Sequence, residues 1–192
     1  MGADTSSGVQ AVDAPPLKPI AIPARLADTP AGEPKYSVSV KDSAGKNVTV
    51  ADPNATRAAV ALMDIHAVVG GAACHWGGPA AFAEIMAATH AIMFATENRQ
   101  WHEAFNFVND AGHTENGVYA LRANYGFDGM DYKTLRGFRS IQSKLTGHGE
   151  SHLNPEGILI STGPLGSGLP QSQGLAIGDK IASNDRVTIV TI

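Results

Sequence analysis

Apolar and polar residues alternate in KYSVSVKDSAGKNVTV on both sides of DSAGK. Period-two alternation around a polar, Gly-containing turn predicts a small hairpin, Tyr36–Lys41 with Asn47–Val50. The period then lengthens. In ADPNATRAAVALMDIHAVV, residues Ala59, Leu62, Met63 and Ile65–Ala67 form an apolar helical face. Asp52 suits the cap and Pro53 the first helical position, and Gly70-Gly71 ends the helix. A second helix opens at Gly77-Gly78-Pro79, with Phe82, Ile85, Met86, Thr89, Ile92 and Met93 at three- and four-residue steps. FNFVND predicts a short buried strand, and TENGVYALRANYGF a helix that ends near Gly126. DYKTLRGFRSIQS reads as a further helix carrying Arg136 and Arg139 on its surface. LPQSQGLAIGDKIA predicts a small-residue helix, and RVTIVTI a buried strand of the parallel type. Helices separated by a few apolar strands predict an α/β fold, a parallel sheet flanked by helices.

Composition narrows the class. The 192 residues are 43% hydrophobic, enough for one real core. No stretch reaches the roughly 18 consecutive apolar residues of a membrane span. A net charge of −4 argues against a protein built to bind nucleic acid. Cys74 is the single cysteine, so no intrachain disulfide is possible and a reducing, cytoplasmic compartment is expected. Residues 1–34 are rich in Ala, Pro, Ser and Asp and lack the pattern of a secretory signal. The chain therefore divides into 1–51, an extended N-terminal arm with the small hairpin, and 52–192, the domain proper.

Three histidines stand in glycine-bearing loops. His75 lies in GGAACHWGGP, just before a helix start, where backbone N–H groups attract polarised oxygens. It fits a helix-capping turn as well as a ligand contact. His113 lies in NDAGHTENGVY, between a strand and a helix, the place where α/β folds gather binding residues. Alone it also fits a surface loop. His148 lies in LTGHGESHLNPEG, where His148, Glu150 and His152 suggest zinc and a metal-dependent hydrolase. Zinc histidines at that spacing share a helical face, and the flanking Gly, Ser and Pro argue against a helix there. STGPLGSG lacks the Gly-Lys-Ser/Thr ending of a phosphate loop but offers glycines before a helix for close backbone approach to a ligand.

Taken as a series, CHWGGPAAFAEIM, NDAGHTENGVYAL…YGF, LRGFRSI…TGHGE and STGPLGSGL…QGLAIGDKIA resemble the N-terminal, diphosphate-binding domain of transketolase. The resemblance runs from about Asp52 to Ile192, and TGPLGSG downstream of GH.E is its most specific part. It implies a partial thiamine-diphosphate-binding fold and transfer of a two-carbon ketol unit between sugar phosphates. It implies that His75 contacts the acceptor sugar and that His113 contacts thiamine diphosphate and substrate. It places His148 near the donor's carbonyl end and the reacting thiazolium carbon, and Gly163 and Leu165 against the cofactor's rings. The chemistry is consistent: the cofactor supplies a carbanion, and imidazoles position hydroxyls and exchange protons near neutral pH.

The chain departs from the family pattern at two places. Trp76 follows His75 where the family has Pro, and Gly149 follows His148 where the family also has Pro. Trp76 bears on acceptor preference, and Gly149 loosens the His148 loop. The resemblance further implies a Gly-Asp-Gly after RVTIVTI whose Asp, with a later Asn, holds magnesium. Those ligands are expected beyond Ile192, and so is the pyrimidine-binding domain that completes a homodimeric enzyme. The expectation is a part of a transketolase, inactive as this chain alone. The alternative is a non-catalytic or split subunit that completes another thiamine-diphosphate enzyme.

Overall fold

A computed structural model of the protein describes residues 25–192. The part of the expected arm at 1–24 lies outside the described residues. The hairpin pairs β1 (Ser37–Lys41) with β2 (Asn47–Ala51) in antiparallel register, Ser37 opposite Ala51. Its turn is tied by Asp42, whose Oδ1 accepts from the Ala44 and Lys46 amides at 2.9 Å each. Gly45 takes the left-handed conformation (φ 78°) that closes the turn. Helix α1 (Pro53–Val69) starts as its sequence dictates: Asp52 accepts from the Asn54 amide at 2.8 Å, and Pro53 fills the first position.

The second helix is two pieces. The short α2 (Gly77–Ala81) and α3 (Ala83–Phe94) meet at Phe82, where ψ turns to 2°. Only part of the expected stripe is buried. Met86 and Met93 face inward with Ala83, Ala87 and His90, while Ile85 and Ile92 point to solvent. A short helix that the pattern did not announce, α4 (Trp101–Ala104), is held by reciprocal capping between Gln100 and Glu103. It leads into β3 (Phe105–Asn109) and then α5 (Glu115–Tyr125), which ends at Gly126 in the left-handed conformation (φ 68°).

The segment expected as a helix over 131–143 is not one. A single tight turn covers Thr134–Gly137, and Arg139 then takes φ 60°. Two forces unwind it. Leu135 and Phe138 are both drawn into the core, and a Cβ on Gly137 would lie 3.1 Å from Ser143 Oγ, so the chain doubles back there. The last elements are α6 (Gly168–Ile181) and β4 (Val187–Thr191). Strand β4 pairs parallel with β3, Phe105 opposite Val187 through Asn109 opposite Thr191. Contrary to the expectation of a buried strand, β4 is half-exposed, because β3 is its one neighbour among the described residues.

Helix α5 is the keel. One apolar cluster joins α1, α5 and the loop of Leu135, Phe138, Leu145 and Ile158. A second joins α3, α4, β3 and the other face of α5 around Trp101, Phe107 and Phe127. No described helix is long and apolar enough to cross a membrane.

Candidate active site

The site is assembled at the carboxyl end of β3. Asn109 and Asp110 leave the strand there, and the Asp110 amide still donates to Thr191 O at 2.9 Å, which keeps the β4 register. The Asp110 carboxylate turns to the glycine-rich loop. It accepts from the Gly166 amide at 3.0 Å and from the Gly168 amide at the start of α6. Those two N–H groups of STGPLGSG are therefore engaged inside the protein rather than held open for a ligand. Asn109 Nδ2 donates to Thr114 Oγ1 at 3.1 Å and to Glu115 Oε2 at 2.9 Å, and Thr191 Oγ1 donates to Asn109 Oδ1 at 3.0 Å. Burial raises the Glu115 carboxyl above its ordinary range, against the pull of Asn109 and Arg122.

Glycine lets the loops close on one another. A Cβ on Gly112 would stand 2.9 Å from Thr162 Oγ1 and 3.0 Å from the Gly163 amide. A Cβ on Gly78 would stand 2.6 Å from the Thr114 methyl. The Thr162 amide donates to Gly149 O at 3.0 Å, which ties the His148 loop to the same group. Asn116 Nδ2 donates to His75 O at 2.9 Å and to Asp64 Oδ1 at 3.1 Å, which seats the His75 loop on α5.

These contacts bring the three histidines together. The His75 and His113 rings are 4.8 Å apart between centroids, tilted by 60°. The His148 ring lies 3.8 Å from where a Cβ on Gly163 would be. Burial, then the charges of His75 and His148, lower the His113 imidazole below its ordinary range. His113 is thus a neutral imidazole near neutral pH, with one ring nitrogen to donate and one to accept. Leu165 stands exposed at the tip of the loop, before Gly166 (φ 83°). Trp76 is also exposed, next to His75.

The zinc constellation does not form. Glu150 and His152 approach at 3.6 Å, but among the described residues no three His, Cys, Asp or Glu side chains are placed to hold a metal ion. A cleft of about 430 Å³ lined by Asp128, Met130, Ser140, Lys144 and Asn154 contains none of the three histidines.

Residues 53–187 match the family described as "Transketolase, thiamine diphosphate binding domain". The chain belongs to the transketolase family. It is 37% identical over 89 residues to transketolase-1, chloroplastic, of Arabidopsis thaliana, a match covering 46% of this chain and 12% of that protein. It is 32% identical over 123 residues to the transketolase of Dictyostelium discoideum, covering 63% of this chain and 18% of that one. A crystal structure of transketolase from Campylobacter jejuni superposes with a TM-score of 0.51 at 25% identity, over 68% of this chain and 20% of that chain. A transketolase from Pichia stipitis solved with sedoheptulose 7-phosphate shares the fold, with a TM-score of 0.51 at 24% identity, over 72% of this chain and 21% of that chain. The chain spans less than a fifth of the length of these two curated relatives.

Within this transketolase-type domain, the sequence pointed to the histidines and the glycine loop but not to Asp110, Asn109 or Glu115, and it set Arg139 on a helix surface where the structure turns its guanidinium onto Ala73 O and Gly147. A signal for the first two was present. Asn109 and Asp110 are polar residues at the carboxyl end of an apolar strand, where a buried polar group must have partners.

Proposed function

We propose that this chain is the diphosphate-binding part of an enzyme that transfers a two-carbon ketol unit from a ketose phosphate to an aldose phosphate. The observation that carries the reading is the convergence of His75, His113 and His148 on the Gly163 loop. In this reading thiamine diphosphate, when bound, supplies a carbanion nucleophile that also serves as electron sink. The donor set suits that group: one exposed apolar residue, one glycine and three imidazoles, in loops with little room for further side chains. Gly163 and Leu165 would meet its rings. Neutral His113 would accept a hydrogen bond from a sugar hydroxyl or donate one to a developing oxyanion. His75, the most open of the three, would orient the acceptor's hydroxyls, and His148 would sit at the donor's carbonyl end.

Magnesium, a pyrimidine-binding domain and a homodimer belong to the same proposal. Magnesium commonly takes few carboxylates together with substrate phosphates. We place the enzyme in the cytoplasm, in keeping with the lone thiol of Cys74. Sugar phosphates are its substrates. The chain alone should show no measurable ketol transfer, and mixing it with a chain that carries the pyrimidine-binding domain should restore it. Calorimetric titration with thiamine diphosphate and magnesium in that mixture tests the assignment. His113→Ala should abolish transfer there. Unchanged transfer in His113→Ala would defeat the reading.

A further inference from the structure

Arg139 touches two of the three histidine loops. Its Nη1 donates to the carbonyl of Ala73, two residues before His75. The same guanidinium lies on Gly147, the residue before His148, where a Cβ would coincide with it. The Arg139 amide donates to Leu145 O at 2.8 Å, so the backbone also grips the strand of chain that leads to His148. The Phe138 ring, 5.8 Å from the guanidinium carbon, backs this arrangement.

The arrangement is costly to the chain. Arg139 has φ 60°, a conformation that residues other than glycine adopt under strain. Its Nε is buried with no partner, and among the described residues no carboxylate pairs with it. Neither the backbone nor an ion pair accounts for an arginine here. What its planar fork does accomplish is to span the Ala73 carbonyl and the face of Gly147 at once, which a lysine's point charge cannot.

We propose that Arg139 is a positioning residue that clamps the His75 loop to the His148 loop and so holds the three imidazoles in one cluster. Its use in ketol transfer rests on the function proposed above; the clamp itself does not.

Histidine ring titrations by NMR on the full chain test it, with Arg139→Gly, Gly147→Ala and the double variant. Arg139→Gly removes the clamp and relieves the strained backbone, so the fold is kept. Gly147→Ala puts a methyl where the guanidinium lies and expels it, at a glycine whose backbone suits alanine. In each single variant the His113 midpoint should rise toward that of a free imidazole, because the loosened loops bury it less and carry the His75 and His148 charges away from it. The double variant should shift no further than either single one. Folded single variants in which the His113 midpoint stays in place would overturn the clamp. In the assembled enzyme, Arg139→Gly should lower kcat about 100-fold, the cost of displacing catalytic groups by about an ångström. If His113 moves but the assembled wild-type enzyme binds no thiamine diphosphate, the clamp stands and the functional reading falls. If the cofactor binds and His113 does not move, the clamp falls and the reading stands.

Discussion

Helices α5 and α6 both border the histidine cluster, yet they are held in opposite ways. Every residue of α5 from Glu115 to Asn124 is buried, and two apolar clusters grip its two faces. Helix α6 buries only Gly168, Ser172 and Asp179, and leaves Leu169, Ile177 and Ile181 open. What holds α6 is a carboxylate at each end. Asp110 takes the amides at its start. Near its end, Asp179 accepts from Asn106 Nδ2 at 2.6 Å, Asn184 Nδ2 at 3.0 Å and Arg186 Nε at 2.9 Å. Burial alone would raise the Asp179 carboxyl, but Arg186, Asn184 and Asn106 together keep it below its ordinary range. Apolar packing makes the keel on which the site rests, and polar pins attach the loop that completes it.

The largest effect should come from attacking the keel. Arg122 is fully buried, with Trp101, Phe107 and Phe127 rings 4.8 to 5.7 Å from its guanidinium carbon, and it donates to Gly157 O and to His90 Nε2. Arg122→Ala should lower the free energy of unfolding by about 3–5 kcal/mol, measured in urea, through a cavity and stranded polar partners. Arg122→Met, which keeps volume, should cost less. Equal losses would mean that the guanidinium's bonds, not its bulk, hold α5.

Cutting the pin at α6 should cost less and act locally. Asp110→Ala should destabilise by about 2 kcal/mol, chiefly the penalty for leaving the buried Gly168 amide unpaired. Hydrogen exchange should speed at Gly166 and Gly168 while the α5 amides stay protected. Faster exchange along α5 would erase the contrast between the two helices.

Acid separates the regions by a third route. His90 is buried on the α3 side of the keel, and burial first, then the Arg122 charge, hold its pKa at about 3 against an ordinary 6.5. The folded state refuses a proton that the unfolded chain takes up below about pH 6.5, so stability falls as pH drops from there toward 3. The slope is about 1.4 kcal/mol per pH unit at most from this one group. In His90→Phe that slope should flatten across the window in denaturant titrations.

The smallest effect belongs to the open face of α6. Ile181→Gln should change stability by no more than about 0.5 kcal/mol, as for surface positions generally. A larger loss in thermal melts would show that this face is covered in solution.

Much of this was legible along the chain. The hairpin, the capped start of α1, the β3 strand and the α5 helix follow from local chemistry: turn glycine, an Asp-Pro cap and regular apolar spacing. The 131–143 segment misled because Leu135 and Phe138 are three apart both in a helix and in a turn that points them into a core. Ile85 and Ile92 carry the same apolar signal as Met86 and Met93, and only the neighbours decide which pair is covered.

By itself the sequence determined most of the local elements, the 131–143 turn and α4 excepted, together with the family and the three histidine loops, since each rests on residues close together along the chain. Only the tertiary structure decided that Asp110 pins the glycine loop from 56 and 58 residues away, that Arg122 can lie buried among aromatic rings, and that Arg139 faces Gly147 rather than solvent. Those outcomes depend on which polar groups find partners once water is excluded, and distant segments supply the partners.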